Sequence, residues 1–95
     1  MILAKEATNL AQTSCEKRLN ETLDDINDRI KIASERGQRV IVYSFNRKDP
    51  MTGYLFRKVA SQLTENGFVV SHDFSTYYDS SNNKTVDMIE ICAIW

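Results

Sequence analysis

The sequence predicts an α+β fold in which a long N-terminal helix precedes a β-α-β-β unit. Three features of the 95-residue chain support this prediction. Apolar residues recur at helical spacing through the first third, two glycines stand where helices should end, and the remaining segments are rich in β-branched and aromatic residues. We expect a single domain over residues 1–95, with the helix in residues 1–36 and the body in residues 38–95.

The first helix is predicted between Ala4 and Arg36. From residue 19 onward its apolar positions are three or four apart, which places them in one stripe along an α-helix. These are Leu19, Leu23, Ile26, Ile30 and Ala33. Gly37 then supplies the left-handed conformation that ends many helices. The alternative is a break at residues 12–14, because Thr13 followed by Glu16 also matches a capping box.

The length of this helix predicts self-association or a protein partner. A helix of about 33 residues is roughly 50 Å long, whereas a body of about 60 residues is roughly 20 to 30 Å across. One body is therefore too small to cover the helix. We expect a homo-oligomer, a dimer or higher, whose interface candidates on the helix are Leu19, Leu23, Ile26 and Ile30.

Strand 1 and a second helix follow. Residues 39–45 are predicted to form strand 1, because they are too short and too evenly apolar for a helix. Asp49 and Pro50 combine a helix-capping residue with the residue favoured in a first helical turn, so helix 2 is expected from there to Asn66. Its apolar stripe is Leu55 or Phe56, Val59, Ala60 and Leu63.

Two further strands are predicted to form a hairpin around the polar turn at residues 79–83. Strand 2 covers residues 68 to about 77, and strand 3 covers residues 85 to about 95. Strand 3 is apolar on both faces, which favours a central position. A right-handed crossover then makes strands 1 and 2 parallel with strand 3 antiparallel between them. We expect a three-stranded mixed sheet of order 1-3-2 with both helices on one face.

Composition excludes several classes of protein. The formal net charge is -1, with 12 basic and 13 acidic residues, which argues against general nucleic-acid binding. No apolar run is long enough to cross a membrane, and the N-terminus lacks the pattern of a signal peptide. We therefore expect a cytoplasmic protein. Cys15 and Cys92 are expected to be reduced thiols there, and the cysteine of strand 3 to be buried.

Candidate catalytic and metal-binding groups are few. His72 is the only histidine, which excludes a two-histidine metal site within one chain, and its strand position favours a structural role. The acidic turn of helix 1 has nearby basic residues and is expected to be a solvated face; it consists of Glu21, Asp24, Asp25 and Asp28. Neither cysteine forms a Cys-His pattern. We expect no enzyme activity, no catalytic residues, no metal and no cofactor.

Two groups of residues are candidates for binding. Basic and amide side chains near the start of helix 2 could hold an anion such as a phosphate or nucleotide, although Asp49 opposes one. They are Asn46, Arg47, Lys48 and Arg57. The second group is aromatic: Tyr77 and Tyr78 precede the hairpin turn and are candidates for a protein interface. Phe74 and Trp95 are expected to be core residues.

The chain resembles small proteins encoded by tailed phages. The features that carry the resemblance are Ala4-Lys5-Glu6-Ala7 at the helix start, Arg36-Gly37 at its end, Leu63 with Gly67-Phe68-Val69-Val70, and Ile89-Glu90-Ile91 near Trp95. The resemblance implies a cytoplasmic protein of the infected host cell. We expect an inhibitor of a host protein, such as a defence protein, or a protein that sequesters a small anionic nucleotide. The alternative is an assembly component that works through helix 1, and a small enzyme is the least favoured alternative.

Overall fold

A computed structural model describes all residues of the chain, from Met1 to Trp95. It confirms the predicted α+β class and the order of the elements. The helices and strands are α1 (Ala4–Glu35), β1 (Val40–Asn46), α2 (Thr52–Glu65), β2 (Val69–Asp79) and β3 (Lys84–Ile94). Each strand boundary lies within two residues of its predicted position.

Helix α1 is continuous through residues 12–14, so the predicted alternative of a break there is wrong. The Thr13 hydroxyl donates to the Asn9 carbonyl oxygen at 2.9 Å, a contact made inside a helix and not at its start. The helix ends at Gly37, whose φ is +76°. The N–H of Gln38 reaches back to the carbonyl of Ala33 at 2.9 Å, which completes a Schellman motif.

Helix α2 begins two residues later than the Asp-Pro pair predicted. The Asp49 carboxylate accepts from the N–H of Met51 at 2.9 Å, and the N–H of Thr52 donates to the Asp49 carbonyl at 3.0 Å. Asp49 therefore organises a turn ahead of the helix and does not cap the helix itself. The helix ends as α1 does, at Gly67 with a φ of +90°.

The sheet has the predicted strand order β1-β3-β2. Both ladders are antiparallel, with Tyr43 and His72 on either side of Ile91. Strands β1 and β2 do run parallel to each other, but they are not neighbours. The sheet is therefore antiparallel throughout, and the expected description as a mixed sheet is wrong.

The core lies between one face of the sheet and the two helices. The sheet contributes five buried residues: Ile41, Phe45, Ile89, Ile91 and Ala93. The helices contribute Ile26, Ala33, Leu55, Val59 and Leu63. With Thr52 these make 11 buried residues out of 95, so the core is small. The predicted stripe of α2 is therefore buried at Leu55, Val59 and Leu63 and half-buried at Ala60. The fold is two layers thick, and its shortest dimension is 19 Å.

The second face of the sheet is not covered by any element of the chain. Side chains alternate along strands, so the residues on either side of each buried strand residue point away from the helices. Cys92 lies on this face and is half-buried, whereas the sequence led us to expect a buried thiol. The difference arises because strands β1 and β2 flank Cys92 on both sides, but no element covers its side chain on the bare face of the sheet.

Neither helix has the length and apolarity together that a membrane span requires.

Candidate binding surface

The hairpin of β2 and β3 extends beyond the three-stranded part of the sheet. The β1 ladder ends where Asn46 pairs with Met88, whereas the β2 ladder continues to Asp79 and Lys84. The residues from Thr76 to Asp79 therefore lie in a two-stranded ribbon. Strand β2 is also an edge strand, and most of its side chains are exposed to solvent.

Aromatic rings line the helix-facing side of β2. The His72 ring meets the Phe56 ring edge to face at 5.3 Å between centroids, and the Phe74 ring at 6.0 Å. Phe74 is nevertheless 57% exposed and is not the core residue that the sequence predicted, because α2 covers only the beginning of the strand. Tyr78 lies on the same side and is 61% exposed. We call Phe56, His72, Phe74 and Tyr78 the aromatic strip.

Arg47 joins the aromatic strip from the loop after β1. Its guanidinium carbon lies 5.0 Å from the centroid of the Phe74 ring, within the range of a cation-π contact. Its backbone N–H donates to the Asp87 carbonyl at 3.0 Å, which fixes the start of the loop against β3. A predicted anion-binding residue and the aromatic end of β2 thus form one surface.

Two of the other anion-binding candidates, Asn46 and Arg57, use their side chains within the chain. The Asn46 side-chain oxygen accepts from the N–H of Lys48 at 2.9 Å. The Nε of Arg57 donates to the Gly53 carbonyl at 3.1 Å, within α2. The Asp49 carboxylate occupies the Met51 N–H ahead of α2, so an external anion would have to compete with it.

Asp49 also anchors α1 to this loop. Its two oxygens accept from the Arg18 guanidinium at 2.7 and 3.3 Å. The hydrogen bonds from Arg18 and from the Met51 N–H hold the pKa of Asp49 below its ordinary value, and the Asp49 carboxylate raises the pKa of Arg18. The ion pair with Arg18 neutralises the negative charge of Asp49, which would otherwise repel an anion. The same pair holds the loop before α2 against α1.

Tyr77 and Tyr78 lie on opposite faces of the ribbon, because successive strand residues alternate. A flat interface can therefore use only one of them. The Tyr78 hydroxyl donates to the side-chain oxygen of Asn83 across the turn. Asp79 accepts from the hydroxyl and the N–H of Ser81, which lowers the Asp79 pKa, so the turn is held by its own polar groups.

The predicted interface stripe of α1 packs against the core of its own chain. Ile26 is 2% exposed, and Leu19, Leu23 and Ile30 are half-buried around it. A groove of about 450 Å³ remains between α1 and the end of α2. Its lining is Leu23, Asp24, Ile26, Asn27, Ile30, Gln62, Leu63, Asn66 and Phe68.

The acidic turn of α1 is exposed and partly paired. Asp25 lies 3.5 Å from Arg29, whose guanidinium carbon is 4.8 Å from the centroid of the Tyr43 ring. Burial, followed by the nearby Asp25, raises the pKa of Tyr43. No three His, Cys, Asp or Glu side chains in the chain lie close enough together to hold a metal ion.

Sequence reasoning missed part of the aromatic strip. The alternation of β2 did place His72 and Phe74 on one side, but their contacts with Phe56 and Arg47 join residues that are far apart in the chain. No local pattern contains that information.

Comparison with models of protein families, with curated proteins and with solved structures finds no match for this chain.

Proposed function

We propose that this protein is a non-enzymatic binding protein that inhibits a partner protein by covering it with the aromatic strip. The observation that carries the proposal is the exposed aromatic end of β2, where Phe74 and Tyr78 present more than half of their surface to solvent. Aromatic residues and arginine are the types that dominate binding energy at protein interfaces. Arg47 beside Phe74 supplies both types on one surface.

The surface is organised before a partner binds. The Phe74 ring is flanked by His72 and by the Arg47 guanidinium, and the Tyr78 hydroxyl is tied to Asn83. Side chains that are already held lose less conformational entropy on binding. A rigid aromatic surface on a 95-residue chain suits an inhibitor, which needs affinity and no catalytic groups.

The edge of β2 favours contacts through side chains. The Asp73 carboxylate accepts from the N–H of Phe74 at 2.8 Å, so this backbone donor on the free edge is already used. A charged residue on an edge strand also opposes pairing with another strand. We infer that the partner binds over the aromatic rings and does not add a strand to the sheet.

A nucleotide is the second candidate for the same surface. A base could stack on the Phe74 ring while Arg47 and Lys48 contact the phosphates. This mode ranks second because only Arg47 among the basic candidates lies against an aromatic ring. The acidic Asp49 is also next to Lys48 in the sequence and would oppose a phosphate. The resemblance to small phage proteins supports either mode of action inside a host cell, with a host protein or a nucleotide signal as the target.

The test uses Tyr78→Ala with Tyr77→Ala as its matched control. Both tyrosines are exposed in the same ribbon, but on opposite faces. The wild-type protein is immobilised to capture its partner from a bacterial lysate, and the affinity of the purified partner is then measured by calorimetry. We expect Tyr78→Ala and Phe74→Ala each to cost about 2 kcal/mol, or roughly 30-fold in affinity.

Tyr77→Ala should bind the partner as the wild type does. Equal losses for both tyrosines, or no loss for Tyr78→Ala and Phe74→Ala, would exclude the aromatic strip as the binding surface. Nucleotide capture gives a different pattern. In that case a nucleotide should raise the melting temperature of the wild type, Arg47→Ala should abolish the shift, and added salt should reduce it.

A further inference from the structure

The N-terminal half of α1 projects from the body as an arm. Arg18, paired with Asp49 at 2.7 Å, is the most N-terminal residue of the helix with an ion pair to the body. All residues from 1 to 14 are exposed, and Leu10 retains 61% of its surface. We call residues 4–17 the arm. At 1.5 Å per residue the arm is about 21 Å long.

The arm has its own apolar stripe. Its members are Ala4, Ala7, Leu10, Ala11 and Cys15. At about 100° per residue they fall on one side of the helix together with Ser14, and the charged residues Lys5, Glu6 and Glu16 fall on the other. This side is rotated by about 100° from the stripe around Ile26 that packs on the body. Apart from the half-buried Cys15, the arm therefore presents an apolar surface that its own core does not use.

The bare face of the sheet is the second unused apolar surface. At one end of it Val40, Ile94 and Val69 form a row across the three strands, with Val42 and Cys92 in the next row. We call these five residues the open face. Val40, Val42, Val69 and Ile94 each retain between 46% and 68% of their surface. Three strands are about 14 Å wide, and the two rows extend about 7 Å along them, so the open face covers about a third of the length of the arm.

The chain exposes more surface than one compact domain of its size. Its accessible surface is 6919 Å², whereas a globular monomer of 10.9 kDa exposes about 5,600 Å². The excess is about 1,300 Å², and a stable dimer buries about 800 Å² per partner. The uncovered area is therefore enough for an interface.

We propose that a second copy of the chain covers both surfaces, with the arm of each copy lying on the open face of the other. A helix packed on a sheet face is a standard way to bury both apolar surfaces, and it would turn two layers into three. Reciprocal exchange about a two-fold axis leaves neither surface bare. Pairing of arm with arm, or of face with face, would leave one surface exposed in each copy.

The test combines variants of opposite charge on the two surfaces. Leu10→Lys alters the arm and Val42→Asp alters the open face; both positions are exposed, so folding should be retained and is checked by circular dichroism. We expect the wild type to sediment as a dimer at tens of micromolar. Each variant alone should weaken the dimer by about 100-fold.

Mixing the two variants should restore the dimer. One contact in the mixed dimer is wild type on both sides, and the other sets the introduced lysine against the introduced aspartate. Gln12→Lys, which adds the same charge to the polar side of the arm, should remain a dimer. The rate of Cys92 modification should fall as wild-type concentration rises, since the partner arm covers it.

Three results would overturn the proposal. A wild-type monomer at tens of micromolar excludes the dimer. Dissociation by only one of the two variants indicates pairing of arm with arm or of face with face. A mixture that stays monomeric shows that arm and open face do not meet. None of these measurements depends on the aromatic strip, so they test the dimer separately from the proposed function.

Discussion

Replacement of Ile26 by alanine tests how α1 is held to the body. Ile26 is 2% exposed and lies against the core, so its truncation removes three buried carbon atoms. At about 0.8 kcal/mol per methylene the transfer cost is about 2.4 kcal/mol, and a residual cavity adds to it. The neighbouring groove gives the surrounding side chains room to relax, which limits the cavity cost. We expect a loss of about 3 kcal/mol.

That loss is large for this chain. A domain of this length has a free energy of unfolding of about 5 to 14 kcal/mol, and its small core places it near the lower end. Urea unfolding followed by circular dichroism measures the change. With a slope of about 1 to 1.5 kcal/mol per molar, the midpoint should fall by about 2 M. Ile32→Ala is the matched control, because Ile32 is in the same helix but 50% exposed.

The dependence of stability on protein concentration shows whether Ile26 packs within its own chain or against another copy. If Ile26 packs within its own chain, the difference between Ile26→Ala and the wild type should be the same at every concentration. A loss below about 1 kcal/mol would refute the reasoning from burial. A difference that grows or vanishes with concentration would show that the residue contacts another copy, as the sequence alone suggested for this stripe.

Three further predictions concern Asp49 in the loop before α2, Gly67 after α2 and Gly53 within α2. The Asp49 pKa is lowered in the folded state, so its pairing stabilises the fold above the ordinary carboxyl pKa and the benefit is lost as pH falls through the lowered value. Asp49→Asn should therefore reduce stability at neutral pH and flatten its decline below about pH 4, as urea unfolding across pH would show. Gly67→Ala should cost about 1 kcal/mol, because its φ is +90°, whereas Gly53→Ala, in α2 with open space around it, should raise the melting temperature.

Much of the fold follows from local chemistry. The spacing of Leu55, Val59 and Leu63 sets the buried side of α2, and Gly37 and Gly67 end the two helices by taking left-handed conformations. The apolar pattern of β3 indicated its central place in the sheet. These features depend on residues close together in the chain, so the sequence contains them.

The proposed binding surface depends on packing between segments that are distant in the chain. Whether Phe74 is core or exposed is decided by how far α2 covers β2, and whether Arg47 meets an aromatic ring is decided by the loop position. Sequence periodicity shows that a side is apolar but not which element covers it. The apolar stripe around Ile26 could therefore be recognised from the sequence. Its burial against the core of its own chain was decided only by the tertiary structure. The same holds for the sheet face that carries Cys92, because no local pattern shows that this face stays uncovered.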